Sequence, residues 1–188
     1  HYKKAREEFK LIEPILAYTD KENYKSLNAP NILKIEEEDA TNIKINKPFG
    51  FQVIEESLYE DEIDTLLLKE VTSKTKNRLA LIANNNRLYL KKYHILWLLR
   101  DQIARIALVG VTGFDSPVLE QSLTEAKANY KTLRFIIDAY KEQFTDKELF
   151  QKVQDAFTAS EKILEGSFIN FDRYAFIKEH AHKQLILL

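Results

Sequence analysis

The chain has 188 residues, of which 45% are hydrophobic and 30% charged, and its formal net charge is -1. This balance is typical of a globular protein of one domain, and it gives no global electrostatic reason to bind nucleic acid or an anionic membrane. The absence of cysteine excludes disulfides, thiolate nucleophiles, zinc-thiolate sites and covalent c-type haem within these residues.

The two ends of the sequence indicate a piece of a longer protein. The chain begins at His1 with no apolar export signal, and it ends in the apolar run of residues 185–188 with no helix cap. We therefore expect a mature or excised fragment, with any further domains lying beyond Leu188.

Residues 2–18 predict a first helix with one apolar face and a kink at Pro14. The apolar residues that recur at spacings of three and four are Tyr2, Ala5, Phe9, Ile12 and Leu16. Glu13 lies beside this face. It is either a solvated surface carboxylate or a polar group turned into the interior.

Residues 19–48 predict a long irregular connection that contains a short helix near residues 20–27. The acidic run of residues 36–39 is either solvated or able to attract cations. Ile43 and Ile45 alternate with polar residues, as in a strand, but the segment is too short to support a sheet. We therefore predict no sheet anywhere in the chain.

The stretch from Tyr89 to Pro117 dominates the rest of the pattern. Between Ile95 and Val111 the polar exceptions are Arg100, Asp101, Gln102, Arg105 and Gly110. A helix that is apolar on most sides is usually surrounded by other helices. Charges near its middle would be costly in lipid, so we predict a central core helix over residues 88–112, not a membrane span.

Helical patterns also cover residues 49–59, 61–83, 122–144, 146–165 and 170–185. Capping boxes begin two of them, at Ser122 with Glu125 and at Thr145 with Glu148. The predicted fold is an all-α antiparallel up-and-down bundle of about six to seven helices in a single domain, residues 1–188.

The charged residues of the central helix predict a buried polar network. Arg100, Asp101 and Arg105 need opposite charges if they are buried, because an unpaired buried charge costs several kcal/mol. Asp101 and Arg105 have the spacing of a helical ion pair. The network is either structural, fixing the register of the helices, or a polar pocket that holds a small cation or acid. The carboxylates available to the two arginines are Glu13, Glu55 and Asp115.

Conventional catalytic motifs are absent from the sequence. The 4 histidines include no metal-binding helical pair, since His180 and His182 point to different sides of a helix. There is no phosphate-binding glycine loop, nucleophile elbow or nucleic-acid motif.

Four segments, in order, resemble a known family. The residues that carry the resemblance are 5–14 (AREEFKLIEP), 48–56 (PFGFQVIEE), 110–117 (GVTGFDSP) and 170–177 (NFDRYAFI). They resemble the imelysin-like helical region that precedes the haem domains in cytochrome c peroxidase-type proteins of Bacteroidetes. Imelysin-like proteins are helical proteins of the cell envelope linked to iron uptake.

The family hallmark, Gly-x-His-x-x-Glu, falls on Gly50, Gln52 and Glu55, with glutamine in place of histidine. Glutamine is a poor ligand for iron, zinc or copper, so the resemblance implies the fold more than the metal site. Gln52 and Glu55 lie three apart on one helix face and could bond Arg105 or each other. We therefore include both in the predicted buried polar network with Arg100, Asp101 and Arg105. The peroxidase chemistry of the family uses Cys-x-x-Cys-His haem sites, which this chain lacks.

The resemblance implies a periplasmic or cell-envelope protein. The first hypothesis is a non-catalytic accessory domain that docks against downstream haem domains, or recruits an electron donor or envelope partner. The alternative is an imelysin-like binding protein for iron or a related metal, with Glu55, Glu13 and Asp115 as its weak candidate ligands. A hydrolase, the older assignment for imelysins, has no supporting motif.

Overall fold

The computed structural model describes residues 1–39, 42–85 and 88–188, and most of them are helical. The bounds of the first seven helices are α1 Tyr2–Thr19, α2 Lys21–Leu27, α3 Phe51–Leu58, α4 Thr65–Asn85, α5 Lys92–Leu108, α6 Ser122–Ala139 and α7 Lys147–Ile163. A last helix, α8, covers residues 173–187 and contains the π-helical stretch Phe176–Ala181. The all-α prediction is confirmed, with eight helices in the described residues where six to seven were expected.

The described residues form two compact units. Unit 1 contains residues 1–19, 88–114 and 120–188, and unit 2 contains residues 20–87 and 115–119, apart from the undescribed positions. The single domain inferred from the sequence stays a prediction.

Unit 1 is a helical bundle built from α1, α5, α6, α7 and α8. Helix α1 packs mainly on α6 and also on α5, while α8 packs on α5 and α7. Fully buried side chains from four of these helices fill the interior: Leu98, Ile103, Tyr130, Leu133, Val153, Phe157 and Phe176. Burial of such side chains contributes roughly 1.5–3 kcal/mol each to folding.

Helix α5 differs from the surrounded core helix that the sequence predicted. Its buried positions form one stripe, which includes Ile95, Leu99, Ile103 and Ile106. The opposite side is open to solvent and leaves Tyr93, Leu96, Trp97 and Leu108 exposed. The prediction was wrong because an apolar sequence does not reveal how many sides of a helix have neighbours. The helix is also shorter than predicted, since residues 110–112 form a 3₁₀ turn.

Unit 2 contains α2, α3, α4 and a two-stranded antiparallel sheet, β1 (Lys34–Asp39) and β2 (Asn42–Asn46). Helix α4 packs on α2 and α3. Asp20 caps α2 by accepting a hydrogen bond from the Asn23 amide at 3.2 Å. The short helix near residues 20–27 is confirmed.

The sheet corrects two predictions. Residues 34–39 and 42–46 are not irregular, and the described residues do contain strands. The alternation at Ile43 and Ile45 was a true strand signal. The partner strand, β1, begins within the alternating residues Leu33-Lys34-Ile35-Glu36, and Ile35 pairs with Ile45. Two short strands stabilise each other through the ladder of backbone hydrogen bonds, which neither provides alone.

Gly50 joins the sheet segment to α3 at a position that excludes other residues. It is the N-cap of α3, and its φ of 116° lies in the region that favours glycine. A Cβ atom there would lie 2.4 Å from the Leu27 carbonyl oxygen. The first residue of the hallmark segment therefore allows the end of α2 to approach the start of α3 closely.

No helix among the described residues is both long enough and apolar enough to span a membrane. The sequence-based exclusion of a transmembrane segment agrees with this.

Candidate functional site

The Glu55 carboxylate anchors a loop in unit 2. Its Oε1 atom accepts hydrogen bonds from Ser116 Oγ at 3.1 Å, the Val118 amide at 3.0 Å and the Leu119 amide at 2.8 Å. Glu55 is fully buried on α3. Three donors around one carboxylate oxygen satisfy it much as an N-terminal helix cap would, so this hallmark position fixes the backbone of residues 116–119.

The second hallmark position, Gln52, lies one helical turn before Glu55 and also bonds the backbone. Its Nε2 atom donates to the Asn28 carbonyl at 3.2 Å. The Asn28 side chain in turn donates to Asp115 Oδ1 at 2.9 Å. All four side chains are buried, so unit 2 contains a polar network whose members hold the end of α2 and the loop after residue 114.

The three weak metal candidates fall in both units. Glu55 and Asp115 belong to the polar network of unit 2, whereas Glu13 belongs to α1 in unit 1. Within the described ranges, no three or more His, Asp or Glu side chains are arranged to hold a metal ion. The hydrogen bonds to Glu55 and Asp115 give each carboxylate a structural role, so the metal assignment stays a prediction.

An ionic cluster lies in the interior of unit 1, on α1 and α6. Arg6 donates from Nε to Glu125 Oε1 at 2.7 Å and from Nη2 to Oε2 at 3.1 Å. Lys10 Nζ lies 2.6 Å from Glu13 Oε2 and 3.4 Å from Glu125 Oε2. All four side chains are almost completely buried. Two cations therefore neutralise two carboxylates away from water.

Glu13 is thus turned into the interior, the second of the two readings considered for it. Gln102 on α5 lies at the edge of the cluster, with Nε2 3.4 Å from Glu13 Oε1. Sequence reasoning did not identify Arg6, Lys10 and Glu125. The sequence contains only a weak indication of this cluster. Arg6, Lys10 and Glu13 are spaced by four and three residues, which places them on one side of α1, beside its apolar face.

The charged residues of α5 do not form the buried network that the sequence predicted. Asp101 is exposed, and Arg100 and Arg105 are half-buried. Arg100 packs over the Trp97 ring at 5.9 Å and donates to the Leu185 carbonyl. Gln52 and Glu55 are buried as expected, but they belong to the polar network of unit 2. The buried ion pairs of unit 1 are formed by residues of α1 and α6, whereas on α5 Asp101 is exposed and the Arg105 Nε atom is buried.

A second group of buried polar side chains joins α6, α7 and α8. Tyr130 donates to Gln184 Oε1 at 2.8 Å, and Gln184 Nε2 donates to Ser160 Oγ at 2.7 Å. Burial raises the pKa of the Tyr130 hydroxyl, so it remains a donor at all ordinary pH values. His180 Nδ1 lies 3.4 Å from Ser160 Oγ, and burial lowers the pKa of His180, with a smaller contribution from Lys183.

Two of the four resembling segments meet at Arg173. Its guanidinium donates to the carbonyl oxygens of Val111 at 2.9 Å, Phe171 at 3.1 Å and Phe168 at 3.2 Å. Arg173 also lies over the Phe168 ring, whose Cζ would be 2.7 Å from a Cβ on Gly113. The residues quoted for the resemblance therefore have a packing role at this turn of unit 1.

One face of the two-stranded sheet in unit 2 is aliphatic and exposed. This face carries three isoleucines. Ile35 of β1 pairs with Ile45 of β2, and Ile43 lies on the same side of β2 because it is two residues before Ile45. They are 62%, 60% and 55% exposed, respectively. We call these three side chains the isoleucine face. The neighbouring residues Ile32 and Leu33 are also exposed.

No protein-family model, curated protein or solved structure gives a significant match to the chain.

Proposed function

We propose that this chain is a non-catalytic helical accessory domain that docks, through the isoleucine face, against the haem domains of a periplasmic cytochrome c peroxidase-type protein. The observation that carries the docking role is this exposed aliphatic face. An isolated two-stranded sheet is only marginally stable in water, and contiguous exposed apolar side chains commonly mark a protein-binding surface.

The charge beside the face favours a protein partner over a membrane. The exposed Glu37 pairs with Ile43 on the same side of the sheet, so an acidic side chain lies beside the isoleucine face. This charge would be repelled by an anionic lipid surface. The complementary partner is an apolar protein surface bordered by lysine or arginine.

The haem-domain partner and the periplasmic location rest on the four resembling segments. The structural use of the hallmark residues supports an accessory role. Glu55 and Gln52 hold backbone groups of unit 2, and Asp115 accepts a hydrogen bond from Asn28. These buried polar residues support the domain's own loops, which agrees with a structural role for the hallmark positions. The alternative, binding of iron or a related metal, would need these carboxylates to exchange their present donors for the ion.

The gene sequence beyond Leu188 gives the first test. Two Cys-x-x-Cys-His motifs downstream would agree with the proposal, and their absence would remove the haem partner. The second test is hydrogen exchange of the full-length polypeptide. We expect Ile35→Lys and Ile43→Lys to increase amide exchange in residues 34–46 and in the contacted haem domain.

Leu66→Lys is the matched control, because Leu66 is an exposed aliphatic residue of unit 2 that belongs to α4 and not to the sheet. It should leave the exchange pattern unchanged. If the two isoleucine variants exchange like the Leu66 control in both regions, the isoleucine face is not the docking surface.

A further inference from the structure

A cleft of about 840 Å³ opens in unit 2 beside the sheet. This volume lies within the range of roughly 300–1,000 Å³ that is typical of small-molecule sites. Lys34 and Glu36 of β1 alternate onto one side of the strand and line the cleft, together with Ile32 from the segment before β1. Ile45 of the isoleucine face also lines the cleft, whereas Ile35 and Ile43 do not, so the two features share one residue.

Positive charge predominates in this cleft. Among the described residues that line it, Lys34, Lys47, Lys74 and Arg78 are cationic and Glu36 is the acidic residue. Lys74 also forms an ion pair at 2.6 Å with Glu70, which leaves an excess of two positive charges when both carboxylates are counted. Cations that converge on a concave surface raise the local concentration of anions.

Arg78 is held in position for an anionic group. Its Nη1 atom donates to Asn23 Oδ1 at 2.8 Å, and its guanidinium lies 5.5 Å from the centre of the Phe49 ring. Asn23 is itself fixed by Asp20, which accepts from Asn23 Nδ2 at 2.6 Å. The remaining N–H groups of Arg78 have no acceptor among the described residues, and a planar guanidinium can bind two oxygens of one anion.

Apolar side chains lie beside these cations. Ile32, Phe49 and Leu81 line the same cleft, and Ile32 and Leu81 are more than half exposed. A site built from a fixed guanidinium, two exposed lysines and three apolar side chains has the chemistry to bind a charged head and a hydrocarbon chain together. An inorganic anion would leave the apolar part of the cleft unused.

We propose that this cleft binds an amphiphilic anion, with Arg78, Lys34 and Lys47 contacting its carboxylate or phosphate and Ile32, Phe49 and Leu81 contacting its alkyl chain. The proposal does not depend on the docking role, because it concerns binding by the 188-residue chain alone. The two head groups share the chemistry of an oxyanion, and the experiment below distinguishes them.

The test is titration calorimetry of the 188-residue chain with decanoate and decyl phosphate, each below its aggregation concentration. Acetate and decanol are the probes that lack the chain and the charge. We expect a dissociation constant below about 1 mM for at least one amphiphile, and at least tenfold weaker binding of acetate and decanol. The tighter of the two amphiphiles identifies the head group.

Variants then assign the binding to the cleft. Arg78→Gln and the double variant Lys34→Gln with Lys47→Gln should each weaken amphiphile binding about tenfold or more. Lys76→Gln removes an exposed lysine of α4 that does not line the cleft and should have no effect. The double variant changes only exposed residues, so it remains informative if Arg78→Gln does not fold.

Three results would overturn the proposal. The first is that neither amphiphile binds with a dissociation constant below about 1 mM. The second is that acetate binds as tightly as decanoate. The third is that the Lys34 and Lys47 double variant binds the amphiphile as tightly as the Lys76→Gln variant does.

Discussion

Arg6 and Glu125 form a bidentate ion pair in the interior of unit 1, although 119 positions separate them in the sequence. Helices α1 and α6 are the most extensively packed pair in the unit, and this ion pair joins them. The pair fixes one relative position of the two helices, because a shift of either by one turn would bury both charges without their partners.

We expect Glu125→Gln to destabilise the chain by about 3–5 kcal/mol, because it leaves the buried Arg6 guanidinium without its carboxylate. The free energy of unfolding by urea measures this. Glu161→Gln, which removes the partly exposed partner of Arg134, is the matched control and should cost less than about 1 kcal/mol. Equal effects of the two substitutions would mean that water reaches the Arg6–Glu125 pair.

Glu55→Leu should destabilise the chain by about 3 kcal/mol, since the Val118 and Leu119 amides and the Ser116 hydroxyl lose their acceptor. Glu55→Gln keeps an oxygen at the same position and should cost about 1 kcal/mol. Urea unfolding gives both values. The neighbouring Glu56 accepts only a surface hydrogen bond from Asn31, so Glu56→Leu should cost less than about 1 kcal/mol. A Glu55→Leu variant as stable as Glu56→Leu would contradict the anchoring role.

Gly50→Ala should lower the free energy of unfolding by about 2 kcal/mol or more. The added Cβ would require a strained φ and would lie 2.4 Å from the Leu27 carbonyl oxygen. Thermal unfolding measures the loss. Gly166→Ala is the control, because its nearest contact is at 3.4 Å and it should change stability by less than about 1 kcal/mol. An unchanged melting temperature for Gly50→Ala would show that the α2–α3 approach relaxes easily.

His180 predicts a dependence of stability on pH. Burial lowers its pKa below the usual 6.5, so the unfolded chain takes up the proton more readily. Its contribution to stability is complete above pH 6.5 and is lost as the pH falls through the lower pKa of the folded state. Unfolding measured from pH 8 to pH 5 should show a smaller loss for His180→Phe than for the natural chain. Parallel pH profiles for the two would show that His180 has the same pKa in both states.

Metal binding is expected to be weak. Calorimetric titration of the chain with ferric, ferrous, zinc and copper ions should give no dissociation constant below about 10 μM, because Gln52 is a poor ligand and the Glu55 oxygen already accepts three hydrogen bonds. Tighter binding that Glu55→Gln abolishes would favour the iron-binding alternative over the docking role.

Much of the helical architecture could be predicted from the sequence. The sequence pattern located α1, α2 and α3 to within about two residues at each end, and it placed the starts of α6 and α7 close to those observed. The two predicted capping boxes do not form, because Gln121 is the N-cap of α6 without a side-chain capping hydrogen bond and Asp146, not Thr145, caps α7. Two predictions went wrong for physical reasons. The strand β1 was missed because its acidic residues obscured the alternation of polar and apolar positions. Helix α5 was placed in the centre of the bundle because an apolar composition does not show how many neighbouring helices pack on a helix.

The candidate site was less accessible to sequence reasoning. Gln52 and Glu55 were identified, and both are buried. Their partners, the Asn28 carbonyl and the amides of Val118 and Leu119, are backbone groups with no side-chain signature. Arg78 was not identified, because its position in the cleft depends on contacts with Asn23 and Phe49 that the local sequence does not indicate.

The sequence by itself determined that this chain forms helices, where most of them begin and end, and which faces are apolar, because spacing along the chain governs local hydrogen bonding and amphipathicity. Only the tertiary structure decided which charges are buried, that Arg6 meets Glu125, and that a basic cleft and an isoleucine face remain open. Those properties depend on which distant segments come together, and burial and pairing of charge are consequences of that packing.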